Sequence, residues 1–208
     1  NDQPLFFRVM IAYYFAKIAA TMRVNIETHG RGIIPCNMYG IILAPSGAGK
    51  THSTVMLETQ VINRFVEVFC NETLPAISEK HLYKLAVDRA AKDKLDPEET
   101  FEKIKKEFER LGSYEFAFDS ATVPAVKQLR HQLLMANCGS INLEIDEIAD
   151  KLLGNVDVLS VFKELFDVGI TKNKLIKNTP DQIRNQHIHG TTPTNMLLYG
   201  TTVKLLAG

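Results

Sequence analysis

Ala44-Pro45-Ser46-Gly47-Ala48-Gly49-Lys50-Thr51 lies between an apolar run, Tyr39 to Leu43, and a helical pattern that begins near Lys50. A strand that runs into a glycine-bearing turn and then a helix points several backbone N–H groups inward. With the helix N-terminus they form a cradle for phosphate oxygens. The spacing is that of a P-loop, so Pro45, Ser46, Gly47, Ala48, Gly49, Lys50, Thr51 and His52 are the expected nucleotide-binding residues. Lys50 is expected to reach the β and γ phosphates, and the Thr51 hydroxyl to take one position on Mg²⁺. The pattern usually opens with glycine, where this chain has Ala44. Without its context the stretch is a glycine turn before a helix-starting lysine; the strand before it and the helix after it favour the phosphate site.

Such a site needs a second half, an acidic strand end. Ile141-Asn142-Leu143-Glu144-Ile145-Asp146-Glu147 supplies a strand-like segment closing on adjacent carboxylates. Asp146 is the expected second metal-holding residue, and Glu147 the group that polarises water for attack on the γ-phosphate. An Asp-Glu pair after an apolar run is also a common helix start. Downstream of a phosphate loop it points to hydrolysis rather than transfer to a small acceptor.

The chain has 208 residues, 45% hydrophobic, enough for a proper core and most simply one domain, 1–208. A formal net charge of +0 advertises no nucleic-acid partner, so any such surface must be a local patch. Cys36, Cys70 and Cys138 stand far apart, which fits a reducing compartment and excludes a cysteine zinc site. No initiator Met is present and the chain stops at Gly208 after a strand-like segment, so a fragment of a longer polypeptide is expected.

Pro4 to Met22 is apolar at helical spacing, but its uncharged run between Arg8 and Lys17 is far short of the roughly 20 residues that cross a bilayer. A packing helix is expected, without membrane contact. Arg23 to Glu27 alternates like a short strand, and His29-Gly30-Arg31-Gly32 is a turn-rich connection into the P-loop strand, Tyr39 to Leu43. Val55, Met56, Val61, Ile62, Phe65, Val66 and Phe69 predict a helix from Lys50 to about Asn71. Ser78 to Leu111 predicts a charged helical insertion, 78–111, whose second helix starts with Asp96 as N-cap and Pro97 behind it. Its charges read as a solvated face or a partner surface.

Tyr114 to Phe118 alternates like a strand, Thr122 and Pro124 open a helix to about Asn137, and a helix interrupted at Gly154-Asn155 runs from Ile148 to about Phe166. Lys127, Arg130 and His131 share one helical face, expected to be solvent-exposed. Asp167-Val168-Gly169, Lys172 to Lys177, Thr179-Pro180-Asp181 and Arg184 to His189 read as a basic hairpin. Lys172, Lys174 and Lys177 are its possible nucleic-acid contacts. Arg184 is a possible finger acting in trans, or a plain surface arginine. His187 and His189 share a strand face but have no evident third metal ligand.

Asn195 to Tyr199 is an apolar strand ending in Gly200-Thr201-Thr202. In NTPases with an additional strand and a catalytic glutamate, such a late strand inserts between the other two, so its polar end faces the γ-phosphate. Thr201 or Thr202 is the expected sensor; Asn195, at the other end, is not expected to reach it. The expected fold is therefore an α/β, three-layer P-loop NTPase of the RecA/AAA-like kind with a mainly parallel sheet and an N-terminal helix.

The chain resembles the phage- and plasmid-associated primase-helicase-like P-loop proteins, catalogued mainly as a domain of unknown function. The resemblance rests on an ordered set of segments: the helix before Asn37-Met38-Tyr39-Gly40, the loop Pro45 to Lys50, Ala121-Thr122-Val123-Pro124, Asp146-Glu147-Ile148, Glu164-Leu165-Phe166-Asp167 and Asn195 to Gly200. It departs from the group in the charged 78–111 segment and in lacking the last strand and any primase portion. The resemblance implies a cytoplasmic ATPase core of a replication protein, in the host cytoplasm if phage-encoded, using ATP and Mg²⁺ and working as a homo-oligomeric ring on single-stranded or duplex DNA. Glu147, Lys50 and Thr201 are the expected catalytic set. The alternative is an ATP-dependent assembly, loading or packaging switch acting on a protein partner through the charged helices.

Overall fold

A computed structural model of the chain describes residues 4–30, 32–45, 47–166, 169–170 and 188–201. The basic hairpin, with Lys172, Lys174, Lys177, Arg184 and His187, lies outside the described residues, as do Ser46, Thr202 and the Asp167-Val168 step. The first helix, α1 (Pro4–Thr21), is followed by a hairpin of β1 (Asn25–Thr28) and β2 (Gly32–Pro35) and then by β3 (Tyr39–Leu43). The segment read as a linker into β3 is thus the hairpin turn, and Gly32-Ile33-Ile34-Pro35 is its second strand, paired antiparallel with β1.

From Lys50 the chain is helical without a break to Asp93: α2 (Lys50–Leu57), a π-helical stretch Glu58–Ile62, α3 (Asn63–Val68), a second π stretch Phe69–Thr73, and α4 (Leu74–Asp93). The expected stop near Asn71 does not occur. Proline inside a helix lacks the N–H for its i−4 carbonyl and crowds that carbonyl. The wider π turn directly before Pro75 falls where that bond is lost, so the axis carries on. The charged segment is therefore an extension of the helix leaving the glycine loop, returned by α5 (Pro97–Arg110). Asp96 caps α5, its Oδ1 accepting from the N–H groups of Glu98 and Glu99, both at 2.9 Å, as expected of this residue before Pro97. Leu82, Ala86 and Ile104 close the pair over Met135 of α6 (Val123–Ala136).

The central sheet consists of β3, β5 (Thr194–Gly200) and β4 (Ile141–Ile145) in that order, all parallel. The late strand lies between the glycine-loop strand and the acidic strand, the placement expected of it. Side-chain alternation divides the core into two faces. Ile42, Leu197 and Tyr199 meet Phe6, Met10, Tyr13 and Tyr14 of α1. Ile141, Leu143, Ile145 and Leu198 meet Val126 and Leu133 of α6 and Val158, Phe162 and Leu165 of α7 (Ile148–Leu165). Helices thus cover both faces of a parallel sheet, the α/β arrangement. Among the described residues no helix is long and apolar enough to cross a membrane.

Three further expectations need correction. Tyr114 to Phe118 is not a strand but a single parallel bridge, Phe118 to Leu143. Here side chains take the place of a ladder: Asn142 Nδ2 donates to the Phe116 carbonyl at 2.6 Å and the Tyr114 hydroxyl to the Ser140 carbonyl at 2.7 Å. Helix α7 runs through Gly154-Asn155 unbroken, because burial of Val158, Val161, Phe162 and Leu165 outweighs the cost of about 1 kcal/mol of an internal glycine. The face of Lys127, Arg130 and His131 is half-buried rather than solvated. Arg130 donates to the carbonyls of Gly169 and Gly190, and His131 pairs with Glu107 of α5.

At the N-terminal edge of the sheet, Asn195 Nδ2 and Ser140 Oγ donate to Asn142 Oδ1, each at 2.9 Å, while Asn195 Oδ1 accepts from the Met38 N–H at 3.0 Å. Both asparagines are fully buried, so each bond lost strands a partner. Asn142→Ala is expected to cost about 2–4 kcal/mol and to lower the melting temperature by roughly 5–15 °C in calorimetry; unfolding within a degree of wild type contradicts this network. Cys138 is buried, and burial pushes its thiol up to about 11; burial also raises the Cys70 thiol, but Cys70 and Cys36 are both partly accessible. Iodoacetamide at about pH 8 should therefore label Cys36 and Cys70 well before Cys138 in peptide mass spectra, since only thiolates react.

Candidate functional site

The C-terminal ends of the parallel strands decide where a site can form. Register pairs Leu43 of β3 with Gly200 and Ile145 of β4 with Leu198, so the chain leaving each strand emerges on the same side of the sheet. The Ala44 N–H then donates to the Gly200 carbonyl at 3.1 Å and prolongs the ladder into the glycine loop. Gly47 and Gly49 hold φ of 80° and 82°, a region that costs residues with a Cβ about 1–2 kcal/mol. A methyl group added to either would meet nothing within 4 Å, because both face open space.

That open space is a hollow of about 480 Å³. Its walls are Gly47, Ala48, Gly49, Lys50, Thr51 and His52 on one side, Asp146 and Glu147 on another, and Thr201 between. The structure therefore brings together every described residue of the expected nucleotide, metal and catalytic sets except Pro45, which is exposed on the loop but not in the wall. The backbone N–H groups of the loop and the first turn of α2 give this side the partial positive charge of a helix N-terminus.

Lys50 Nζ donates to two strand-end carbonyls, Ala44 at 3.3 Å and Gly200 at 3.2 Å. Both bonds are at the long end of the normal range, so the ammonium is held in the hollow by weak partners that an anion would outbid. Ser53 and Thr54 turn their hydroxyls back onto the carbonyls of Gly49 and Lys50. Thr51 makes no such bond and stays exposed in the wall opposite Asp146. A hydroxyl and a carboxylate are hard oxygen donors of the kind Mg²⁺ takes when it keeps several waters and adds substrate phosphates. No group of three or more His, Cys, Asp or Glu gathers among the described residues, and His189 is exposed.

Glu147 begins α7 as its N-cap, yet its side chain makes no cap bond. Instead the Thr201 hydroxyl donates to Glu147 Oε2 at 3.3 Å, drawing the carboxylate toward the end of β5. Glu147 thus starts a helix, as such a pair commonly does, and also lines the hollow. Asn195 sits at the far end of β5 and does not reach the hollow.

Residues that the sequence reading missed stand behind the site. Tyr199 bonds Thr54 at 3.0 Å, and burial pushes its phenol up to about 12. Glu58 accepts from the Tyr14 hydroxyl; its pKa is raised by burial first and by Glu144 next. Glu144 itself accepts from Tyr13 and Lys17. The available signal was a charge inside each of two apolar elements, Lys17 in α1, which also carries Arg8, and Glu144 in β4. Comparison with protein-family models, curated proteins and solved structures gives no match.

Gly200 has the tightest surroundings of the site. An added methyl would stand 2.8 Å from Ile148 Cγ2 and 3.2 Å from Leu43 Cδ2, with Glu147 Oε1 at 3.9 Å. Gly200→Ala should therefore push Leu43 and Ile148 apart and cost about 1–3 kcal/mol of stability. Urea unfolding checks this, and a midpoint equal to wild type contradicts the packing described.

Proposed function

We propose that the chain binds ATP with Mg²⁺ in this hollow and hydrolyses it, as the core of a DNA-replication helicase-like translocase. The single observation that supports this best is the convergence of the glycine loop, Asp146, Glu147 and Thr201 on one hollow from three parallel strands. In this reading the loop amides and Lys50 hold the phosphate chain. Thr51 and Asp146 would hold Mg²⁺, which would supply charge neutralisation on the phosphate oxygens. Glu147 orients a water and takes its proton as the water attacks the γ-phosphorus, while the bond from that phosphorus to the β–γ bridging oxygen breaks and ADP leaves. Thr201, whose hydroxyl donates to Glu147, is in this reading the sensor that reports the γ-phosphate to β5.

The DNA half of the proposal draws on Lys172, Lys174 and Lys177 of the sequence and on the family resemblance, as do the ring and Arg184 as its finger. One observation favours a protein partner instead: Tyr83, Val87 and Leu95 are exposed apolar residues on and next to α4, amid its charges. A switch would form an ATP-dependent complex that survives substitution of the three lysines.

Lys50→Ala is expected to abolish nucleotide binding in calorimetry, and Glu147→Gln to bind ATP but hydrolyse it about 10²–10⁴-fold more slowly. Single-stranded DNA should raise the wild-type rate. An ATPase rate untouched by Glu147→Gln overturns the hydrolytic assignment; a rate indifferent to DNA in the full-length protein overturns the motor and leaves the switch.

A further inference from the structure

Lys17 has no part in the chemistry just described, yet it is 1% exposed in the last turns of the largely apolar α1. A buried lysine is costly unless its charge is met. Its Nζ donates to Glu144 Oε1 at 2.5 Å and lies 4.8 Å from the Phe116 ring centroid and 5.4 Å from that of Tyr14. The Tyr13 hydroxyl donates to the same oxygen at 2.8 Å. Glu144 is on β4 two residues before Asp146, on the sheet face opposite Leu143 and Ile145.

One residue along α1, the Tyr14 hydroxyl donates to Glu58 Oε1 at 3.3 Å, and Glu58 belongs to the helical run that starts at Lys50. Three neighbouring side chains of α1 thus hold both chain segments that wall the hollow: the acidic strand through Glu144 and the loop helix through Glu58. Glu58 feels the charges of Glu144, Lys17 and Asp146, so this array reaches to the edge of the site. If α1 served only as a cover, an apolar pair of similar volume would pack there at no loss of stability. An ion pair fixes direction and register as well as distance, which an apolar contact does not.

On the footing of the nucleotide-hydrolysis reading above, we propose that Lys17 is a positioning residue: by holding Glu144 it sets the end of β4, and so presents Asp146 and Glu147 to the glycine loop. The helix α1 is then part of the catalytic unit although it touches neither phosphate nor metal.

The test compares wild type, Lys17→Met, Lys17→Arg and the apolar double variant Lys17→Met with Glu144→Leu, by ATPase kinetics, fluorescent ADP binding with and without Mg²⁺, and thermal unfolding. Lys17→Met should lower kcat by about tenfold to hundredfold, the scale of an ångström of misplacement, with the KM for ATP within about threefold of wild type. Magnesium-free ADP binding should persist, since the loop and Lys50 are untouched. Lys17→Arg should recover much of kcat. The double variant should regain melting temperature without regaining kcat, which separates positioning from packing and covers the case that Lys17→Met folds poorly. Wild-type kcat in either Lys17→Met or the double variant overturns the proposal. Should wild type bind ADP but hydrolyse no ATP, the hydrolysis reading fails, and the magnesium-dependent gain in ADP affinity then decides: loss in the double variant upholds positioning, and an unchanged gain overturns it. Should wild type bind no nucleotide, both readings fall.

Discussion

The insertion of β5 between β3 and β4 is the constraint on which the rest of this structure depends. Hydrogen-bonded on both sides, β5 fixes the level at which its neighbours end, Leu43 against Gly200 and Ile145 against Leu198. A one-residue slip on either side would send every side chain of a strand to the wrong face. It would also move Thr201 away from Glu147 or the loop away from Gly200. The buried Asn142–Asn195 pair at the opposite end of the sheet opposes such slippage, because its donors and acceptors match in one register only. Specificity at one edge of the sheet thus sets geometry at the other.

Within that frame the glycine loop combines strain and openness. Gly47 and Gly49 occupy left-handed backbone conformations with empty space before them, while Gly200 lies in close contact with Leu43 and Ile148. Glycine is needed for backbone freedom at the first two positions and for room at the third. Lys50 rests on two carbonyls at long range, so its charge is already in the hollow and little rearrangement separates it from an anion there. The acidic side is organised from behind, where Lys17 meets Glu144 in a water-poor layer between α1 and the sheet. A positive charge sunk beneath the site and a row of amides at its rim leave Asp146 exposed toward the hollow.

Much of this was legible in the residues. The loop, β3, the acidic strand, β5 and the capped helices α5 and α6 carry local signals: glycine spacing, apolar runs, Asp96 before Pro97, Thr122 before Pro124. These are short-range effects, and the structure follows them. Where long-range contacts decide, the sequence was silent or misleading. The run from Lys50 to Asp93 ignores Pro75 because π turns absorb it, and α7 ignores Gly154 because packing outweighs propensity. Phe118 makes one bridge rather than a strand because Asn142 and Ser140, remote in sequence, occupy its neighbours. The half-buried face of Arg130 and His131 needed knowledge of the Glu107 helix and of the Gly190 backbone. Site residues chosen by motif converge; the array of Lys17, Glu144 and Glu58 behind them has no motif, since its partners come from three separate elements.

The claim that the loop, the acidic strand end and Thr201 form one phosphate-and-metal site is tested most directly by ¹⁵N NMR of the backbone amides during titration with ATP, first without and then with Mg²⁺. The account predicts that the amides of Gly47, Gly49, Lys50 and Thr51 shift first, and that Asp146, Glu147 and Thr201 respond in addition once magnesium is present. Shifts confined to another part of the chain, or a loop that responds to ATP while Asp146 and Glu147 never do, would contradict it.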